Sequence, residues 1–64
     1  MKYTLTHYIN DRSETAYSCN APNTANAIKQ AIAYFRQARI SFKLQLGHGI
    51  IFVTPTGSYR LTCQ

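Results

Sequence analysis

One stretch, Asn23 to Arg39, carries the only long helical period in the chain, and it limits the fold more than any other feature. Ile28, Ala31, Ile32, Phe35 and Ala38 recur at steps of three and four, which sets them on one face of a 3.6-residue helix. Lys29, Ala33 and Arg36 fall on the opposite side with Asn26, Gln30 and Gln37. Pro22 stops the helix from starting earlier, and Asn23 or Thr24 can cap its first turn by accepting from an orphan backbone N–H. The body is rich in good helix formers and free of internal Gly and Pro. Arg36 and Arg39 fall in the expected last turn, where positive charge favours the helix dipole. Burial of Ile28, Ile32 and Phe35 is worth about 1.5–3 kcal/mol each.

The segments on either side read as strands. Lys2 to Ile9 alternates, with Tyr3, Leu5, His7 and Ile9 on one face and Lys2, Thr4, Thr6 and Tyr8 on the other. Asn10-Asp11-Arg12-Ser13 is turn-forming, and Glu14 to Cys19 is a second strand whose Tyr17 and Cys19 can face either way. After the helix, Ile40, Phe42, Leu44 and Leu46 alternate with Ser41, Lys43 and Gln45, the cleanest half-buried pattern in the chain. Gly47-His48-Gly49 turns into the apolar run Ile50 to Thr54, expected as a central strand. Pro55-Thr56-Gly57 turns again into Ser58 to Cys63. The expected fold is α+β, a single domain over residues 1–64 in the order ββαβββ, with the helix across one face of a five-stranded antiparallel sheet. A chain of 64 residues has little stability to spare and no room for a cleft between domains.

Seven Lys and Arg against two acidic residues give a net charge of +5. Such a balance favours polyanions or acidic protein surfaces and excludes acidic mimicry of DNA. Cys19 and Cys63 have no CxxC spacing; two reduced thiols in neighbouring strands are expected, with a Cys19–Cys63 bridge as the other arrangement. Met1 to Ile9 lacks the apolar core of a signal peptide, and no apolar run reaches the ~20 residues of a membrane span, so the expected location is cytoplasmic.

Catalysis has little to work with. Asp11 and Glu14, the only carboxylate side chains, fall in or beside a turn, where capping the turn or pairing with Arg12 is their ordinary role. His48 lies in a Gly-flanked turn, the kind of place where a small nuclease can hold an imidazole, but solvated turn filler is the commoner role. His7, Cys19, His48 and Cys63 match no zinc spacing. No Gly-rich phosphate loop or RNP1-like signature is present. The expectation is no catalytic residue, no metal and no cofactor.

Binding has more. Lys29 and Arg36, seven apart, share the solvent side of the helix, and Arg39 ends it. Lys43 and Arg60 point away from the inferred core face of their strands, and Thr6 and Tyr8 lie on a comparable face. Exposed Tyr can stack on bases while Lys and Arg meet phosphates, and Arg with Tyr is also what protein interfaces favour. The plainer alternative is two solvated faces with Lys and Arg stems covering apolar surface. Lys29, Arg36, Arg39, Lys43 and Arg60 are the expected partner-binding residues.

The layout as a whole resembles the small phage anti-CRISPR proteins of the type I-F family that have a five-stranded antiparallel sheet with one helix. The likeness consists of an opening Met1-Lys2 strand, a charged turn at Asp11-Arg12-Ser13-Glu14, and an Ala- and Lys-bearing helix after a short polar cap. It continues with a turn ending in Gly49, an apolar strand, a turn ending in Gly57 and a terminal Cys63-Gln64. The resemblance implies an interaction protein that binds the Cas7 backbone subunits of a type I CRISPR surveillance complex and obstructs hybridisation of target DNA with the guide. It also implies non-specific duplex DNA contact, with the family's basic helix residues falling at or near Lys29 and Arg36. Tyr34 and Phe35 make this helix more apolar than the family pattern. The alternatives are a small basic nucleic-acid-binding or toxin–antitoxin module, and thirdly an enzyme.

Overall fold

A computed structural model describes residues 1–63; Gln64, half of the terminal pair in the resemblance, lies outside the described residues. The elements are β1 (Lys2–Ile9), β2 (Arg12–Asn20), α1 (Thr24–Gln37), β3 (Lys43–Leu46), β4 (Ile50–Thr54) and β5 (Gly57–Cys63). All five strands form one antiparallel sheet in the order β2-β1-β5-β4-β3. The expected ββαβββ α+β fold is the observed one. β4 has neighbours on both sides, but the middle strand is β5.

The hairpin of β1 and β2 closes through Asn10 and Asp11 alone, since Ile9 already pairs with Arg12. Asn10 takes the left-handed region at φ 55°, which its short polar side chain tolerates. A register shift opposite Leu5 and Thr6 leaves Ala16 as the extra residue of a bulge. Past it, Tyr17 and Cys19 pair with Leu5 and Tyr3 and face the helix side. Ala21 and Met1 carry the ladder on, the N-terminal ammonium donating to the Ala21 carbonyl at 3.1 Å and Ala21 N–H to the Met1 carbonyl at 2.9 Å.

Asn23 is the N-cap of α1, its side chain accepting from Asn26 N–H at 2.8 Å. The C-terminus departs from expectation. The helix stops at Gln37, Ala38 is an exposed cap, and Arg39 lies past the last turn at φ 57°. Arg39 N–H reaches the Arg36 carbonyl at 3.2 Å and Ile40 N–H the Phe35 carbonyl at 2.9 Å. These two bonds make a Schellman motif with Arg, rather than Gly, at the left-handed position.

The buried line of α1 is Ala27, Ala31 and Phe35, flanked by half-buried Ile28 and Ile32. Two alanines let the helix approach the sheet closely, and Phe35 fills the space beyond them. Its ring meets Phe52 at 5.0 Å, Phe42 at 5.2 Å and the Tyr59 edge at 4.8 Å between centroids. Tyr3, Leu5, Tyr59 and Leu61 complete the core, and the Tyr3 hydroxyl lies 3.1 Å from Thr24 Oγ1. Gly57 begins β5 at φ 141°, where a Cβ would stand 2.5 Å from the Tyr8 carbonyl oxygen and 3.2 Å from His7 Nε2.

β3 overturns an expectation. The alternation keeps its phase, because Leu44 pairs with buried Phe52, yet all four residues of the strand are exposed and Ile40 and Phe42 precede it. The reason is coverage. A helix is about 10 Å across with side chains, whereas five strands span roughly 19 Å. Among the strands, β2 lies closest to α1, so β3 at the other edge is left bare.

Cys19 and Cys63 are not in neighbouring strands either. They pair with Tyr3 from its two sides, which separates them by two strand spacings, roughly 9.5 Å. A disulfide needs Cα atoms within about 7 Å, and none joins them.

Candidate functional site

The alternation about Phe52, Tyr59 and Leu61 divides the sheet into a face under the helix and a face that no element covers among the described residues. The five basic residues picked out in the sequence divide with it. Lys29 and Arg36 are exposed on α1, and Arg39 is exposed just beyond its end. Lys43 pairs with Val53, and Arg60 pairs with Thr6 and Ile51, all on the uncovered face. They therefore make two surfaces on opposite sides of the molecule.

The uncovered face has a definite make-up. One row across the strands reads Thr15, Thr6, Arg60, Ile51 and Gln45; the next reads Ser13, Tyr8, Ser58, Val53 and Lys43. Tyr8 is 41% and Val53 40% exposed, although both are large apolar side chains. Tyr8, Ile51, Ser58 and Arg60 line a shallow depression of about 220 Å³. Lys2 adds a third cation to Lys43 and Arg60. Neither carboxylate side chain belongs here: Asp11 is in the hairpin turn, and Glu14 faces the other way beside His7.

The second concavity, of about 200 Å³, lies at the hairpin end of the helix-side face and is lined by His7, Ile9, Arg12, Ser13 and Glu14. His7 is buried and stacks on Tyr59 with centroids 4.0 Å apart and planes 2° from parallel. Its Nδ1 stands 3.9 Å from Glu14 Oε1, and its Nε2 is buried without a hydrogen-bond partner among the described residues. Leaving such an acceptor unpaired costs about 1–3 kcal/mol. Burial pushes the Tyr59 phenol above its ordinary value near 10.0, with Tyr34 and Glu14 adding to the shift. His48, the imidazole that the Gly-flanked turn singles out, is exposed, and it is His7 that stands beside Glu14. The signal was present: a hairpin pairing Ile9 with Arg12 also pairs His7 with Glu14. Glu14 is largely exposed, so the contact is a weak, water-screened one.

Among the described residues no group of three or more His, Cys, Asp or Glu could hold a metal ion. Also among them, no helix is long and apolar enough to cross a membrane. Comparisons with protein-family models, curated proteins and solved structures found no match. The fold defines an α+β domain built of one helix on one sheet, with its basic residues on two opposite surfaces.

Proposed function

We propose that this protein acts by occupancy, as a phage- or mobile-element-encoded anti-CRISPR inhibitor working in the host bacterial cytoplasm. In this reading it binds a type I CRISPR surveillance complex at its Cas7 backbone and keeps target DNA from hybridising with the guide. The observation that carries the reading is the element order, five antiparallel strands in one sheet with one helix, which is the architecture that the resemblance implies. The cationic solvent side of α1, with Lys29 and Arg36 and then Arg39, supports it as the contact surface. Such a role uses no catalytic group, metal or cofactor. The test is co-elution with a purified type I surveillance complex, joined to an assay of target-strand hybridisation. Binding should abolish hybridisation, and Lys29→Glu with Arg36→Glu should weaken binding at least tenfold with the far-UV CD spectrum unchanged. A desolvated Arg in an interface is worth about 2 kcal/mol or more on truncation, so the effect should be readable. A folded protein that leaves hybridisation unaffected would refute the proposal.

A second reading, a small nucleic-acid-binding module, is favoured by a different observation. The uncovered sheet face carries Lys2, Lys43 and Arg60 with neither carboxylate side chain among them.

A further inference from the structure

We infer that the depression between Tyr8 and Arg60 is a subsite for one unpaired nucleobase, so that the uncovered sheet face takes a single-stranded nucleic acid. The inference deepens the second reading above and rests on it, and it leaves the inhibitor reading untouched.

Four chemistries meet in the depression. Tyr8 offers an exposed aromatic face, and it stands directly across from Ser58. Arg60, two residue pairs away along β1 and β5 and so on the same face, offers a planar guanidinium. Ile51, directly opposite Arg60 on β4, is half-buried and supplies an apolar floor. Ser58 supplies a hydroxyl that can donate or accept. A phenol ring and a guanidinium plane over an apolar floor fit a flat heteroaromatic ring, which stacks on either without regard to sequence. The surroundings suit the rest of a nucleotide strand. Thr6, Ser13 and Thr15 present hydroxyls toward β2, and Lys43 lies across β4 toward the other edge. This face therefore attracts a polyanion without a carboxylate side chain to repel it.

The same geometry argues against a duplex on this face. Duplex bases are stacked and paired, and a depression in a sheet cannot reach one unless it is flipped out. The major groove, about 12 Å wide, admits a helix or a two-stranded ribbon. A five-stranded face spanning roughly 19 Å does not enter it. A single strand lies on the face with its bases free to turn inward.

The experiment is fluorescence anisotropy of a labelled 12-nucleotide mixed-sequence strand, as RNA and as DNA, beside the same sequence as a duplex. The single strands should bind at least tenfold more tightly than the duplex at physiological salt. The RNA and DNA arms read whether the 2′-hydroxyl is sensed, and tight binding of either one upholds the inference. Tyr8→Phe should bind like the wild type and Tyr8→Ala about tenfold more weakly, because the ring and not the hydroxyl does the stacking. Arg60→Gln should lose about tenfold, whereas Arg12→Gln, which removes one positive charge at the hairpin end, should lose less than threefold. All three positions are exposed, and unchanged far-UV CD and thermal midpoints confirm that the variants fold. Equal affinity for duplex and single strand, or equal losses in Arg60→Gln and Arg12→Gln, would overturn the inference while sparing the nucleic-acid reading. Absence of binding to every oligonucleotide would overturn both.

Discussion

Phe35→Ala tests the account of what holds the fold together. Phe35 has no exposed surface and meets four other rings, those of Tyr34, Phe42, Phe52 and Tyr59, at centroid distances from 4.8 to 5.5 Å. Truncation to Ala removes the transfer free energy of the ring and leaves a cavity that a 64-residue chain has few side chains to fill. Phe→Ala changes at buried sites cost about 3–5 kcal/mol, and this site belongs at the upper end because the aromatic pairs are lost as well. At roughly 0.05–0.15 kcal/mol per residue, total stability is about 3–10 kcal/mol. A loss at that upper end, about 5 kcal/mol, removes half or more of the total. Urea denaturation followed by far-UV CD reads the difference, with Phe35→Leu as the intermediate case expected to lose about 1–2 kcal/mol. Unchanged m-values would show that the denatured state is the same. A loss below about 1.5 kcal/mol for Phe35→Ala would mean that the helix is held elsewhere, along Ala27 and Ala31, and that the aromatic cluster is incidental.

Three further outcomes follow from local geometry. Arg39→Gly relieves a left-handed Arg at a cost in unfolded-chain entropy and helix-end charge, for a net gain of about 0.5 kcal/mol and a Tm some ~2–4 °C higher by calorimetry; a lower Tm would contradict the Schellman assignment. Gly57→Ala, with a Cβ driven against the Tyr8 carbonyl at a φ that side chains avoid, should lose about 2–5 kcal/mol in chemical denaturation, and a loss under 1 would show that β1 and β5 yield easily there. The raised Tyr59 phenol means that the folded state holds its proton more tightly than the unfolded chain, so its contribution is complete below about pH 10 and is lost as pH climbs through the folded value; Tm should fall less steeply above pH 10 in Tyr59→Phe than in the wild type.

What the sequence made legible were the properties that repeat. The helix, the strands and the turns at Gly49 and Gly57 came from periodicity and from residues that tolerate unusual φ. Ala27 escaped because an alanine reads the same on either side of a helix, and Ala38 was misplaced because nothing about Arg39 announces a left-handed residue. The burial of Leu44 and Leu46 was overestimated because alternation reports which way a residue points and not whether anything lies above it. The pairing of β1 with β5 joins segments about fifty residues apart and leaves no local trace, yet it alone brings Tyr8 beside Ser58 and Arg60. That pairing is why the five basic residues could be picked out from sequence while their division between two surfaces, and the depression on one of them, could not.

The division follows from proportion. One helix on five strands leaves two kinds of surface bare: the β3 flank of the helix side, where Leu44 and Leu46 are exposed, and the entire opposite face. The first is apolar and runs along an open strand edge, an arrangement that invites edge-to-edge association. Lys43 lies in that edge strand, and a net charge of +5 sets copies against one another. Part of the positive charge thus has an explanation in opposing edge-to-edge association, and charge alone says little about a ligand. The opposite face is different. Its hydroxyls are at home in water, and Ile51 and Val53 are there as good strand formers. Strand propensity accounts for Tyr8 itself as well, but not for its lining one depression with Arg60. Charge spread over both sides tells no partner from another, but an aromatic ring and a guanidinium over the same apolar floor do, and for that reason the Tyr8 and Arg60 variants discriminate where charge reversal over the whole surface would not.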